Sequence, residues 1–144
     1  MDRILFICVH NSGRSQMAEA YMNELSEGRY KAESAGFEPT ALLPQVVEVM
    51  REDGIDISDR KADSVFDFYR EGRLYSAVVT VCDDQDESQC PVFPGVTYRE
   101  HWPFPDPERI EGEGERARQE LRDIRDAIKD RIKDFIIRMD AARD

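Results

Sequence analysis

Cysteine is scarce in this chain, three residues in 144, and the count is odd. A disulfide framework needs a denser, even set, so these sulfurs point to redox, metal or catalytic use in a reducing compartment. Long apolar runs are missing as well: no stretch approaches the roughly 20 residues of a membrane-spanning helix. Residues 1–10 lack the basic start and long apolar core of a signal peptide. A cytoplasmic protein is therefore expected. Positive charge is in deficit, with 20 Lys and Arg against 31 Asp and Glu, a net charge of −11. That balance argues against nucleic acid and against a membrane surface as partners. An anionic substrate would have to be captured by a local positive site, against the field of the whole molecule. Repeats, low-complexity segments and linkers are absent.

What remains is an ordinary soluble composition, 40% hydrophobic and 35% charged. The length suits one domain, residues 1–144, with a real core, and is too short for two. A monomer is expected.

The most informative stretch is residues 3–20, RILFICVHNSGRSQMAEA. Arg3–Ile7 is a short apolar run of the kind found in buried parallel strands. Cys8-Val9-His10-Asn11-Ser12-Gly13-Arg14-Ser15 follows, and then good helix formers from Gln16 onward. A loop that closes onto a helix start turns backbone N–H groups inward and adds the positive end of the helix dipole, which makes an anion cradle. Val9 to Arg14 are the candidate binding residues, with Arg14 adding a planar fork matched to a tetrahedral oxyanion. The same field favours thiolate over thiol at Cys8, and an oxyanion held over a thiolate is a site for covalent catalysis. Ser15 can donate its hydroxyl to the sulfur. His10 has no visible partner at the loop mouth. Asn11 and Gly13 both suit positions of positive φ.

The rest of the chain alternates strands and helices. The first helix should run from Arg14 to Glu27, the second strand from Tyr30 to Ala35, and the next helix from Leu42 to Asp53. Ile55–Ile57 alternates but is very short. Ser64 suits the cap of a short helix through Phe68. Leu74–Val81 and Val96–Trp102 read as strands three and four. Asp83–Gln89 reads as a short, weak helix. Trp102-Pro103-Phe104-Pro105-Asp106-Pro107 must be stiff, since three prolines fix φ and restrict the residues before them. Ala117, Leu121, Ile124, Ile128, Ile132, Phe135 and Met139 draw one apolar stripe along a helix from Glu113 to Ala142. This pattern is α/β: a three-layer sandwich, a four-stranded parallel sheet with helices on both faces. The expected order, 2-1-3-4, would put the carboxyl end of strand one at a topological switch point, where such folds bind ligands.

Two further features belong on that edge. Asp106, in the loop after strand four, can protonate an oxygen leaving the substrate. Cys82 ends strand three as Cys8 ends strand one, and Cys90 follows in a polar segment. A thiolate can attack a neighbouring sulfur, and a third thiol can resolve the resulting disulfide. A buried structural Cys82 with a surface Cys90 is one alternative. A zinc site of Cys82, Cys90 and His101, in a non-enzymatic metal or redox module, is another, although the close Cys spacing usual for zinc is missing.

Cys, five residues, Arg and Ser in a strand–loop–helix resemble the low-molecular-weight protein tyrosine phosphatase superfamily. The longer matches resemble its thioredoxin-coupled arsenate reductases: HNSGRSQMAEAY at 10–21, SAG at 34–36, GIDIS at 54–58, TVC at 80–82, CP at 90–91, REHWPFPDP at 99–107 and the charged final helix. The resemblance implies reduction of arsenate to arsenite by Cys8, Arg14, Ser15 and Asp106. Cys82 and Cys90 would complete a disulfide relay recycled by thioredoxin or a similar thiol reductant, with phosphate or sulfate as occupants of the same loop. Some relatives hold a structural potassium ion through Asn, Glu, Ser and Asp, and Asn11, Glu19, Ser34 and Asp63 stand at matching positions. Beyond that ion no cofactor is implied. The alternative within the superfamily is a tyrosine phosphatase that hydrolyses phosphomonoesters through a Cys8 phosphoenzyme. Such phosphatases usually carry tyrosine just after the Asp-Pro pair, where this chain has Glu108 and Arg109, and they lack the Cys82 and Cys90 pair.

Overall fold

The computed structural model describes residues 2–82 and 92–143, the last without its side chain. In chain order the elements are β1 (Asp2–Cys8), α1 (Arg14–Leu25), β2 (Tyr30–Gly36), α2 (Pro44–Glu52), α3 (Val65–Arg70), β3 (Ala77–Thr80), β4 (Tyr98–His101), a 3-10 turn (Pro107–Arg109) and α4 (Glu115–Arg143). All strand pairs are parallel and the order is β2-β1-β3-β4, as the strand pattern predicts.

Strand periodicity builds the layers. Ile4, Phe6 and Cys8 face one core, shared with Met17 and Tyr21 of α1, Val46, Val49 and Met50 of α2, and the α4 stripe. Leu5 and Ile7 face the other, shared with Val65 and Phe68 of α3, Tyr75 and Phe93. A two-residue period on a strand with helices on both faces gives this division, and explains why β1 reads as an unbroken apolar run. Trp102, just past β4, joins the first core: its ring meets Phe135 edge-on at 5.2 Å and Phe6 at 5.8 Å. In the α4 stripe Ile136 is buried as well, while Ala117 at the open end is only partly covered.

Several boundaries differ from the sequence expectation, each for a local reason. The first helix stops at Leu25 because Glu27 and Gly28 take positive φ of 52° and 86°. The second starts at Pro44, not Leu42. Proline lacks an N–H and holds Leu43 extended (ψ 127°), so it opens the helix. Strand three is shorter than Leu74–Val81: its register spans only Ile4–Ile7 of β1, and Leu74 is 62% exposed. Strand four is likewise Tyr98–His101, and Ile55–Ile57 forms no strand. Ser64 does cap α3, accepting from Phe66 N at 3.2 Å. The helix expected at Asp83–Gln89 lies outside the described residues. Among the described residues no helix is long and apolar enough to cross a membrane.

Charged pairs tie α4 to the rest. Lys129 and the Tyr21 hydroxyl both donate to Asp53, each at 2.8 Å, and Arg138 grips Glu100 at 2.8 and 3.0 Å. The Lys129 bond foremost, with that of Tyr21, holds the Asp53 carboxyl below its ordinary value against the opposing effect of burial; Arg138 does the same for Glu100. A carboxylate whose folded pKa is depressed adds stability that is complete above the unfolded value, about 4, and lost as pH falls through the folded one. The urea midpoint should therefore drop steadily from pH 5 to pH 3, and Asp53→Asn should flatten part of that fall.

Candidate active site

β1 delivers Cys8, 2% exposed, to the carboxyl edge of the sheet. The loop that follows is turned inside out by its neighbour. Its carbonyls at Cys8, Val9, His10 and Ser12 accept from the N–H groups of Phe37, Glu38, Thr40 and Leu43, at 3.3, 2.8, 3.0 and 3.1 Å. A trans peptide points its N–H opposite to its C=O, and the described residues contain no cis bond. The N–H groups of Val9, His10, Asn11 and Gly13 therefore face the loop interior. That of Asn11 reaches Cys8 Sγ at 3.1 Å. No side chain caps α1, so its first-turn N–H groups add to the same cradle.

Asn11 is fully buried and takes φ 54°, as its residue type allows. Gly13 does not need positive φ: it sits at −153°, and a Cβ there would lie 3.3 Å from Pro107 and 3.4 Å from Val46, so close approach is what it provides. The Asn11 amide has one possible orientation. Asp63 N–H, which can only donate, points at its Oδ1 (2.9 Å), and Gln16 Nε2 adds a second donor at 3.1 Å. Nδ2 therefore donates to Ser15 Oγ at 2.7 Å, which leaves the Ser15 hydroxyl, 2.8 Å from Cys8 Sγ, able to donate to the sulfur. The Asn11 N–H and the Ser15 hydroxyl thus converge on the sulfur.

Arg14 is buried at the helix start. Its Nη1 donates to the Phe104 carbonyl at 3.0 Å and its Nη2 lies 3.7 Å from Asp106 Oδ2. The proline-braced loop thus reaches the Cys8 loop. Asp106 also caps the 3-10 turn, its Oδ1 accepting from Glu108 N at 2.9 Å. The His10 ring turns away from the cradle, with Nδ1 3.0 Å from Glu38 O and Nε2 3.5 Å from Glu108 Oε2. Ser12 is buried in the loop and Val9 packs on the first core.

Cys82 is fully buried in the same core cluster as Cys8. Val81 N donates to Ile7 O at 2.8 Å, so the chain still follows β1 as it reaches Cys82 on the same sheet edge. Both thiols are outside any disulfide. Cys90 lies outside the described residues, so the zinc alternative with Cys82 and His101 has no described geometry; His101 Nδ1 bonds Thr80 Oγ1 at 2.7 Å. Among the described residues no cluster of His, Cys, Asp or Glu is arranged to hold a metal.

Of the four residues matched to a potassium site, three already have partners within the chain. Asn11 Oδ1 accepts two hydrogen bonds, and Glu19 is held by Ser34 Oγ at 2.8 Å and ion-paired to Arg60. The Arg60 guanidinium meets the Glu19 charge from within the chain.

Two contributors escape a sequence reading. Gly36 ends β2 opposite Cys8, and a Cβ there would lie 2.7, 2.8 and 2.9 Å from Val9 O, Asn11 N and His10 C. The SAG motif was the signal. Gln16 binds Asn11 O, Asn11 Oδ1 and Lys61 O, a role with no signature beyond its place in the helix's first turn.

The low molecular weight phosphotyrosine protein phosphatase family matches residues 3–144, and the chain belongs to that family. Its curated relatives include arsenate reductases. That of Bacillus subtilis (strain 168) is 40% identical over 133 residues, 92% of this chain and 93% of the relative. That of Staphylococcus aureus (strain N315) is 38% identical over 141 residues, 96% of this chain and all of the relative. Among solved structures, an arsenate reductase in the phosphate binding state superposes with a TM-score of 0.78 at 28% identity, covering 96% of this chain and 98% of that one. The thioredoxin-dependent arsenate reductase of Corynebacterium glutamicum gives 0.74 at 29%, covering 99% of this chain and 63% of that one.

Gly36→Ala is expected to cost about 1–3 kcal/mol in urea unfolding, since the methyl meets backbone that cannot step aside. Its affinity for sulfate by calorimetry should fall with it. Exchanging sodium for potassium at equal ionic strength should leave the unfolding midpoint of the unaltered protein where it was.

Proposed function

We propose that this chain reduces arsenate to arsenite in the cytoplasm, with Cys8 as nucleophile and Cys82 and Cys90 as a relay emptied by thioredoxin. The observation that supports it most is the pair of buried thiols on one sheet edge: Cys8 with the Asn11 N–H and the Ser15 hydroxyl at its sulfur, and Cys82 just past the end of the adjacent strand. A phosphatase needs the first and has no use for the second.

Arsenate sits on the inward N–H groups and the Arg14 fork. Cys8 sulfur attacks arsenic, Asp106 protonates the departing oxygen, and water leaves a Cys8–arsenic adduct. Ser15 steadies the sulfur through the proton it donates. Cys82 thiolate then attacks Cys8 sulfur. The sulfur–arsenic bond breaks with its electron pair staying on arsenic, so arsenite departs and a Cys8–Cys82 disulfide remains. Cys90 attacks Cys82, frees Cys8, and leaves a Cys82–Cys90 disulfide that a thioredoxin dithiol reduces. The sum is arsenate plus two thiols to arsenite, water and one disulfide. A reducing compartment is implied, because Cys8 must return to a free thiolate after each turn.

Weak hydrolysis of aryl phosphates is expected alongside. Phosphate shares the shape and charge of arsenate, and the first step uses only Cys8, Arg14 and Asp106. The measurement that separates the activities is arsenate-dependent NADPH oxidation with thioredoxin and its reductase. Cys82→Ser should form the adduct and stop, and Cys90→Ser should lose thioredoxin-driven turnover at least a hundredfold, while both keep their aryl phosphatase rate. Sustained arsenate turnover by Cys82→Ser would defeat the relay and leave a phosphatase.

A further inference from the structure

His10 stands between two loops. Its Nδ1 is 3.0 Å from the Glu38 carbonyl, which can only accept, so Nδ1 carries a hydrogen. Its Nε2 is 3.5 Å from the Glu108 carboxylate, also an acceptor. His10 thus bridges the β2–α2 connection and the 3-10 turn, one ring nitrogen on each.

Glu108 holds Asp106 in turn. Its backbone N–H binds Asp106 Oδ1 at 2.9 Å, which leaves Oδ2 as the oxygen turned towards Arg14, at 3.7 Å. A carboxyl that delivers a proton must do so from the oxygen facing the substrate, so Glu108 selects which oxygen that is. His10 is part of the Cys8 loop and its own carbonyl is tied to Thr40 N at 3.0 Å, so the bridge refers the position of Asp106 to the loop that holds the anion.

We propose that His10 and Glu108 form a clamp that sets the Asp106 carboxyl over the Cys8 loop, and that both are positioning residues for proton delivery. This rests on Asp106 being the acid of the proposed reaction. Both side chains are about one-third exposed, 29% and 32%, and ion pairs in such places add little to stability. Displacing a reacting group by about 1 Å can nevertheless slow a reaction by up to about a hundredfold. Rate and stability should therefore separate.

The test is a set of kcat/KM values for arsenate in the thioredoxin-coupled assay, for His10→Ala, Glu108→Gln, the two combined, Asp106→Asn, and each clamp variant combined with Asp106→Asn. Glu108→Gln leaves the Cys8 loop untouched and guards against a loop disturbed by the His10 change. Each clamp variant should lose about tenfold with its urea midpoint unchanged, and the pair should lose no more than either alone. In the Asp106→Asn background neither should lose anything further, because the residue they act through is gone. Clamp variants as fast as the unaltered protein would overturn the proposal, and so would losses that persist in the Asp106→Asn background. Asp106→Asn retaining full kcat/KM would be a different failure, that of Asp106 as the acid.

Discussion

The structure depends on the outward turn of four carbonyls. Between Cys8 and Ser12 the chain gives its carbonyl oxygens to residues 37–43, and so commits its N–H groups to the interior of the loop. Peptide planarity makes the two directions one choice. Gly36 supports this from below by bringing backbone against backbone. The segment from Arg60 to Asp63 supports it from the side, through an ion pair to Glu19, a carbonyl on Gln16 and an N–H on Asn11. That last bond orients the Asn11 amide, which in turn holds Ser15 Oγ beside the Cys8 sulfur.

This explains how a chain of net charge −11 can hold a multiply charged anion. The opposing field is spread over exposed carboxylates, where solvent and salt screen it. The attracting groups are a buried guanidinium, inward amides and a helix end, in a place where water screens poorly. Lys129 and Arg138 of α4 pair with Asp53 and Glu100 at the edge of the core, a role separate from the chemistry. Arg60 meets the charge of Glu19 from within the chain.

Phosphatase and reductase differ here by what stands beside a shared first step. The parallel register of β1 and β3 carries two strand ends to one edge: β1 ends on Cys8, and Cys82 follows two residues after β3 ends at Thr80. The same edge receives the loop after β4, whose prolines bring Phe104 and Asp106 to Arg14. One sheet therefore holds the Cys8 loop, a carboxyl group and a second sulfur on a single rim.

The core face of β1 and α4, the cysteine loop and the proline-braced loop were legible in the sequence, because each is written in neighbouring residues: a two- or 3.6-residue period, a helix start, a run of prolines. Strand ends were less so, since β3 stops where β1 stops pairing, not where its apolar run does. The clamp of His10 and Glu108, the orientation of Asn11, the Arg60 pair and the necessity of Gly36 came only with tertiary structure. Each joins residues far apart in the chain, 52 positions in the case of Asp63 and Asn11. Local pattern determines which groups a segment can offer; the packing of one segment on another decides which of them meet, and in which direction their hydrogens point.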